Sequence, residues 1–370
     1  MCAETRVLQV VKGLGRGGAE QLIANGPAFW DRSRFAYTVA YVLPWKNQLV
    51  PVLEEAGVEV VCLGARSELD PRAWWNLSRL VRRLQPHILH AHLPATGALS
   101  RLVARRRRVP TSIYSEHNIV SSYRGLTHRV AGWTYGLADL VIAVSEPVAQ
   151  SVREAGWKPK RLVVVENGVP PPDTAEPADR GGADFLAVHV GNIRPGKGHS
   201  NLIAAAARCP GVQWVSIGGE KWDGDLARVR AEAAAAGVSD RLQFLGRRDD
   251  VAAWLEAADV FIVPSDHEGL PVSMLEAMSR KVPVVSTAVG GVPDVIEEGV
   301  TGLLVPPSDP DALATAVGRL RDDRALGERL AKAGADVVAA RFGTGVMLGE
   351  IERLYMEVFE ARRRRGDGRG

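Results

Sequence analysis

Two glutamates, Glu268 and Glu276, stand with seven residues between them in SDHEGLPVSMLEAMSRKVPVV, residues 265–285. Asp266, His267 and Glu268 follow the apolar run VFIVP, and Gly269, Leu270 and Pro271 turn the chain into a helix that carries Glu276. Carboxylates in these places can accept from the hydroxyls of a polyol, one at the turn and one a sugar further on. Glu276 precedes Ala277 and Met278 among apolar neighbours, an unusual setting for a merely solvated glutamate. Asp266, His267 and Glu268 are adjacent, but successive side chains of an extended chain alternate in direction, which argues against a metal cluster.

Two glycine-rich loops offer phosphate chemistry. GNIRPGKGH, residues 191–199, matches the P-loop spacing at Gly191, Gly196 and Lys197, but Gly198 stands where a metal-binding hydroxyl belongs. That argues against an ATPase, while Arg194 and Lys197 can still neutralise a diphosphate, the alternative being a solvated pair of loop cations. KGLGRGGAE, residues 12–20, has the G-x-G-x-x-G spacing at Gly13, Gly15 and Gly18. No acidic side chain occupies residues 43–47, where a dinucleotide ribose would need one, so a phosphate or substrate loop is the better reading and a tight turn the other. His90 and His92 share a face if extended, and His117 follows TSIYSE; core packing is the competing explanation for each histidine. The run Arg105–Arg108 ends a helix, where cations cap the carbonyls; contact with phosphate or anionic lipid is the other reading. Trp74 and Trp75 are adjacent and cannot both face one core.

These residues need scaffolding, and the hydropathy pattern supplies it. Strands are expected at 6–11, 37–43, 58–63, 87–90, 111–115, 139–143 and 161–165, and again at 185–190, 212–217, 242–245, 259–263, 282–286 and 301–304. Helices separate them, among them 71–84, 94–106, 197–208, 271–279 and 292–297, and the stretch 323–362 reads as helical. Apolar strands with crossover helices predict parallel sheets covered on both faces. Residues 169–184, with four prolines and two glycines, form the expected linker. A chain of 370 residues is long enough for two domains.

Composition excludes several classes. With 46% apolar and 24% charged residues the chain is neither disordered nor fibrous. Cys2, Cys62 and Cys209 are too few and scattered for a disulfide scaffold or a four-cysteine zinc site, which points to a reducing compartment. No signal-peptide core, nucleophile elbow or nucleic-acid module is present. The net charge of +3 conceals 22 basic and 13 acidic side chains in residues 1–170 against 24 and 30 in the remainder. A basic half can meet an anionic substrate or surface, or the acidic half itself.

Taken together, the motifs resemble the retaining, nucleotide-sugar-dependent glycosyltransferases of family 4, with the GT-B architecture. GGAE (17–20), HAH (90–92), SEHN (115–118), AVSE (143–146), ENGV (166–169), the GNIRPGKG loop, the Glu268–Glu276 pair and GGVPDVIEEGVTGLLVPPSD (290–309) carry the likeness over nearly the whole chain. It implies an α/β fold of two Rossmann-like doubly wound domains facing across a cleft. An acceptor domain at 1–168, the linker at 169–184, a donor domain at 185–345 and a helix at 346–362 packing back on the first domain are the expected boundaries. By this resemblance Glu276 binds the donor ribose and Glu268 addresses hydroxyls of the transferred sugar. Gly269, Leu270 and Pro271 line the donor site, Arg194 and Lys197 clamp the diphosphate, and Gly17 with Gly18 faces the phosphates and acceptor. His117 is expected close to the transferred sugar. Many relatives carry arginine directly after the glycine of the diphosphate loop; here that residue is Asn192, with Arg194 two positions later.

The resemblance further implies transfer from a nucleotide-sugar, UDP-sugar ahead of GDP-sugar, to a sugar, lipid-linked or small-molecule acceptor, with no metal and no separate cofactor. A cytoplasmic enzyme is expected, and the arginine run and tryptophans point toward peripheral contact at the inner, anionic face of the membrane. A nucleotide-sugar hydrolase or phosphorylase on the same fold and a non-catalytic binding protein are the other readings. Nucleic acid is not an expected partner.

Overall fold

The computed structural model describes residues 4–367 except Arg16, Leu69, Arg124 and Lys221, with side chains to Arg364. Cys2 and the end of the tail lie outside the described residues. The chain divides into two compact units, residues 1–168 with 344–370, and residues 169–343.

In unit 1, apolar strands alternate with helices in the order β1 (Thr5–Val11), α1 (Gly18–Asn25), β2 (Phe35–Tyr41), α2 (Val50–Glu55), β3 (Glu59–Cys62), α3 (Pro71–Leu84), β4 (Ile88–His92), α4 (Pro94–Arg107), β5 (Thr111–Glu116), α5 (Gly125–Tyr135), β6 (Leu140–Ala143), α6 (Glu146–Glu154) and β7 (Leu162–Val164). The strands pair in parallel as β3-β2-β1-β4-β5-β6-β7. Strands β4, β5 and β6 are buried throughout; β6 (LVIA) is wholly apolar, whereas β4 and β5 bury His90, His92, Ser112, Ser115 and Glu116. Gly26 and Pro27 end α1 in a 3-10 turn. One face of the sheet packs under α3, α4 and α5, through Leu77, Val103 and Tyr135.

Unit 2 repeats the plan: β8 (Leu186–Val190), α7 (His199–Arg208), β9 (Gln213–Ile217), α8 (Asp225–Ala235), β10 (Leu242–Gly246), α9 (Val251–Ala257), β11 (Val260–Val263), α10 (Val272–Ser279), β12 (Val284–Thr287), β13 (Leu303–Val305), α11 (Pro310–Asp322) and α12 (Arg324–Arg341). Its parallel order is β10-β9-β8-β11-β12-β13. Three details differ from the sequence expectation. Residues 292–297 form only a 3-10 turn at Val292–Asp294, because Pro293 heads the segment and Gly299 follows closely. The helical stretch 323–362 is two helices, since Phe342 and Gly343 break it before α13 (Thr344–Asp367). The proline-rich segment is fastened to unit 2: the amide of Val169 donates to the Phe342 carbonyl at 2.7 Å and that of Ala178 to Ala253 at 2.9 Å.

Helix α13 closes the other face of the unit 1 sheet. Leu348, Ile351, Leu354 and Tyr355 enter the core with Val7, Phe35 and Ile113. Glu352 accepts from the Tyr37 hydroxyl at 2.7 Å and from the Asp31 amide at 3.0 Å.

Strand order reverses between β1 and β4 in unit 1 and between β8 and β11 in unit 2. At such a switch point neighbouring loops leave the carboxyl ends of the strands in opposite directions and open a crevice. The candidate residues fall at these two places.

Candidate functional site

In unit 2 the loop after β8, residues 191–198, meets the loop after β11, residues 264–271. The Asp266 amide donates to the Gly196 carbonyl at 2.9 Å. Gly198 has φ +67°, and a Cβ there would lie 1.8 Å from the Pro264 carbonyl oxygen. The missing P-loop hydroxyl is therefore a packing requirement: no side chain fits between the two loops. Gly290, with φ +56°, is constrained in the same way by the Glu268 carbonyl at 1.9 Å, and the Gly291 amide donates to Gly269 at 2.7 Å. Three sequence-remote loops are thus locked together around Glu268.

Lys197 Nζ donates to Glu268 Oε1 at 2.6 Å, and the Ser265 hydroxyl donates to the same oxygen at 2.7 Å. The two charged side chains are only 17% and 8% exposed. Among the described residues no donor reaches Glu268 Oε2, so the ion pair leaves one acceptor free for a ligand hydroxyl. Arg194 is half-buried on the same loop as Lys197, and its side chain has no hydrogen-bond or ion-pair partner among the described residues. Asn192 is exposed, and the side chains of Asn192 and Arg247 both lie within 4 Å of the Cβ position of Gly219. Arg247, just past β10, is a second cation without a partner among the described residues that sequence reasoning missed. Its only signal was its place after a strand.

Glu276 sits in the middle of α10, whose Met274, Leu275, Ala277 and Met278 are core residues. Burial pushes its carboxyl up to about 7; Arg280 one turn later pulls it down, and Asp173 raises it. Arg280 cannot fully neutralise it, because its guanidinium already binds Asp173 and, at 2.6 Å, Glu256. Gly269 is half-buried, whereas Leu270 and Pro271 are buried and lead into α10, which Pro271 caps.

In unit 1, Gly17 caps α1 and Gly18 opens it. A Cβ on Gly17 would strike the Glu20 carboxylate at 2.4 Å, whereas one on Gly18 would meet nothing within 4 Å. Burial raises the pKa of Glu20, and Lys46 and Lys12 oppose that rise. His117 Nε2 lies 3.1 Å from His92 Nδ1. His90 bridges Tyr355 at 2.5 Å and Ser115 at 2.8 Å. Burial holds His90 down at about 3 and His117 at about 4, and His92 is lowered by burial and by the other two histidines. All three rings are neutral near pH 7. His92 Nε2 is buried without a partner among the described residues. An orphaned lone pair is cheaper than an orphaned N–H, which puts the His92 proton on Nδ1, donating to His117, and the His117 proton on Nδ1. The three rings, Gln9 and Asn167 line a small pocket of about 40 Å³.

Glu116, quoted within a motif but given no role, is the centre of a buried network. It accepts from Tyr114 at 3.1 Å, from Tyr135 at 2.5 Å and from Tyr123. The Arg101 guanidinium lies 4.5 Å and 5.0 Å from the Tyr114 and Tyr135 ring centres. Sequence reasoning missed Arg101 because it lies inside an arginine-rich helix and carries no local mark of burial. Among the described residues no group of three His, Cys, Asp or Glu side chains is arranged to hold a metal ion.

Two parallel doubly wound units, each with its glycine loops at the strand-order reversal, match the architecture of solved GT-B glycosyltransferases. Anabaena Alr3699/HepE, solved in complex with UDP and glucose, matches with a TM-score of 0.84 at 21% identity, over 96% of this chain and 100% of that one. A family model described as Glycosyltransferase Family 4 matches residues 3–172, and one described as Glycosyl transferases group 1 matches residues 184–323. The D-inositol 3-phosphate glycosyltransferase of Streptomyces bingchenggensis is 30% identical over 75% of this chain and 68% of its own length. The lipopolysaccharide core biosynthesis glycosyltransferase LpsE of Rhizobium meliloti is 32% identical over 55% of this chain, which spans 60% of that relative. The chain belongs to glycosyltransferase family 4.

Proposed function

We propose that this transferase moves a sugar from a nucleotide-sugar, a UDP-sugar before a GDP-sugar, to an acceptor hydroxyl with retention at the anomeric carbon. The observation that carries the reading is the grouping in unit 2 of an unpartnered Arg194, the Lys197–Glu268 pair with a free carboxylate oxygen, and Glu276 on the helix that follows. Arg194 and Lys197 take the diphosphate, Glu268 Oε2 accepts from a hydroxyl of the transferred sugar, and Glu276 accepts from the ribose. As the bond from the anomeric carbon to the diphosphate oxygen breaks, charge grows on the leaving phosphate, and fixed cations stabilise it most in the transition state. The acceptor oxygen bonds to the anomeric carbon on the same face, and its proton passes to the departing phosphate. On unit 1 the family likeness assigns His117 to the transferred sugar and the Gly17–Gly18 turn to the phosphates and acceptor; a neutral His117 protonated on Nδ1 serves as a hydrogen-bond donor rather than a base.

The acceptor class is a sugar, a lipid-linked sugar or a small molecule, in a cytoplasmic setting, and the reading requires no metal. The D-inositol 3-phosphate and lipopolysaccharide names of the relatives support an acceptor within that range. Calorimetric titration with UDP, GDP, ADP and NAD in metal-free buffer tests it. Binding of one nucleoside diphosphate, weakened at least tenfold by Glu276→Ala and with turnover lost in Lys197→Ala, is the expected result. Binding of NAD alone, or of none by folded protein, refutes it.

A further inference from the structure

Between Pro71 and Ala138 the chain holds eleven arginines and one carboxylate, the buried Glu116. Helices α3, α4 and α5, which lie on one face of the unit 1 sheet, therefore carry no acidic side chain. The Arg105–Arg108 run ends α4 just before β5 begins, at the amino-terminal edge of the sheet. A second arginine run, beginning at Arg362 on α13, arrives at the same edge: Arg362 donates to the Pro110 carbonyl at 3.1 Å and pairs with Asp139. Phe359 packs 5.5 Å from His87 at the head of β4, and Arg363 lowers that histidine's pKa behind burial and Arg6. Two runs more than 250 residues apart in sequence thus converge in space.

Arg82, Arg105, Arg106, Arg108, Lys158 and Arg363 on this edge are exposed and have no ion-pair partner among the described residues. The neighbouring carboxylates Glu59, Asp139, Glu357 and Glu360 are already paired, with Arg83, with Lys160 and Arg362, with Arg161, and with Arg364. Glu4, and Glu154 at the end of α6, have no ion-pair partner among the described residues. In the last turn of α5, Trp133 is 73% exposed beside this rim, and its neighbour Gly132 abuts Trp157, which precedes Lys158.

His92, Glu116 and His117 lie at the opposite ends of the same strands, about 17 Å away along five steps of β5. That exceeds a Debye length at physiological salt. The arginine run therefore does not reach the anion of a ligand held at those residues. We infer that the amino-terminal edge of the unit 1 sheet docks on an anionic bilayer surface, the arginines and Lys158 meeting headgroup phosphates while Trp133 enters the interface. Aromatic side chains favour that boundary, and unpaired cations are drawn to an anionic leaflet. Among the described residues no helix is long and apolar enough to cross a membrane, so this contact is made from one side.

Co-sedimentation of the full chain with phosphatidylcholine vesicles, with or without about 30 mol% phosphatidylglycerol, tests the inference. The protein should pellet only with the anionic vesicles at about 0.1 M salt and be released at about 1 M. The R105Q/R106Q/R363Q variant should partition about a hundredfold more weakly, near fivefold per arginine, with an unchanged melting curve showing that it is folded. Failure of the wild type to pellet, equal pelleting with neutral vesicles, undiminished binding of the folded triple variant, or binding to duplex DNA in place of vesicles would each overturn it.

Discussion

Replacing Glu276 by glutamine should make the free protein more stable while making it a poorer nucleotide binder. The carboxyl stands at about 7 in the folded chain against an ordinary 4.5, so the folded state holds a proton that the unfolded state has lost between those pH values. Stability contributed at this position is therefore present below pH 4.5, declines as pH rises to about 7, and stays low above it. The interval corresponds to about 3 kcal/mol. Glutamine is neutral at every pH, so the variant should equal the wild type near pH 4 and lead by about 3 kcal/mol at pH 8. Urea unfolding with hydrogen–deuterium exchange read on peptides from β11 and α10 confines the measurement to unit 2. UDP affinity should move the other way: if the ionised carboxylate accepts from ribose, wild-type binding should strengthen about tenfold from pH 6 to pH 8 and the variant's should stay flat. An advantage for the variant that does not change with pH, or no advantage at pH 8, would refute the assignment of the burial cost to this carboxylate.

Two further substitutions test the supports of the sites. Gly198→Ala forces a Cβ to 1.8 Å from the Pro264 carbonyl at a left-handed backbone, and should cost more than about 3 kcal/mol; a denaturation midpoint within error of wild type would contradict the loop packing. Arg101→Met leaves the buried Glu116 carboxylate with its tyrosines but without the facing cation, and should destabilise unit 1 by about 3 kcal/mol. Adding Glu116→Gln should recover part of that loss in a double-mutant cycle, and strict additivity would show that the two charges do not interact.

Much of the candidate site could be proposed from the sequence because its signals are local. A glycine-rich turn after an apolar strand, and a glutamate inside an apolar helix, announce their chemistry within a dozen residues, so Arg194, Lys197, Glu268 and Glu276 could be named from residue type and spacing. Arg101, Arg247 and the role of Glu116 were not legible, since burial and cross-strand neighbours leave no mark on the adjacent sequence. The helix expected at 292–297 failed for a different reason: periodicity suggested more turns than form there.

By itself the sequence determined the alternation of parallel strands and helices, because buried strands must be apolar and crossovers amphipathic, and it determined which loops could meet phosphate and sugar. Only the tertiary structure decided that Lys197 is bound to Glu268 and that Gly198 is glycine because a neighbouring carbonyl excludes any side chain. It also decided that the two arginine runs share the edge opposite the histidines. Those facts depend on strand order, which brings distant segments together through the pairing of β1 with β4 and of β8 with β11, and no local pattern of residues encodes that pairing.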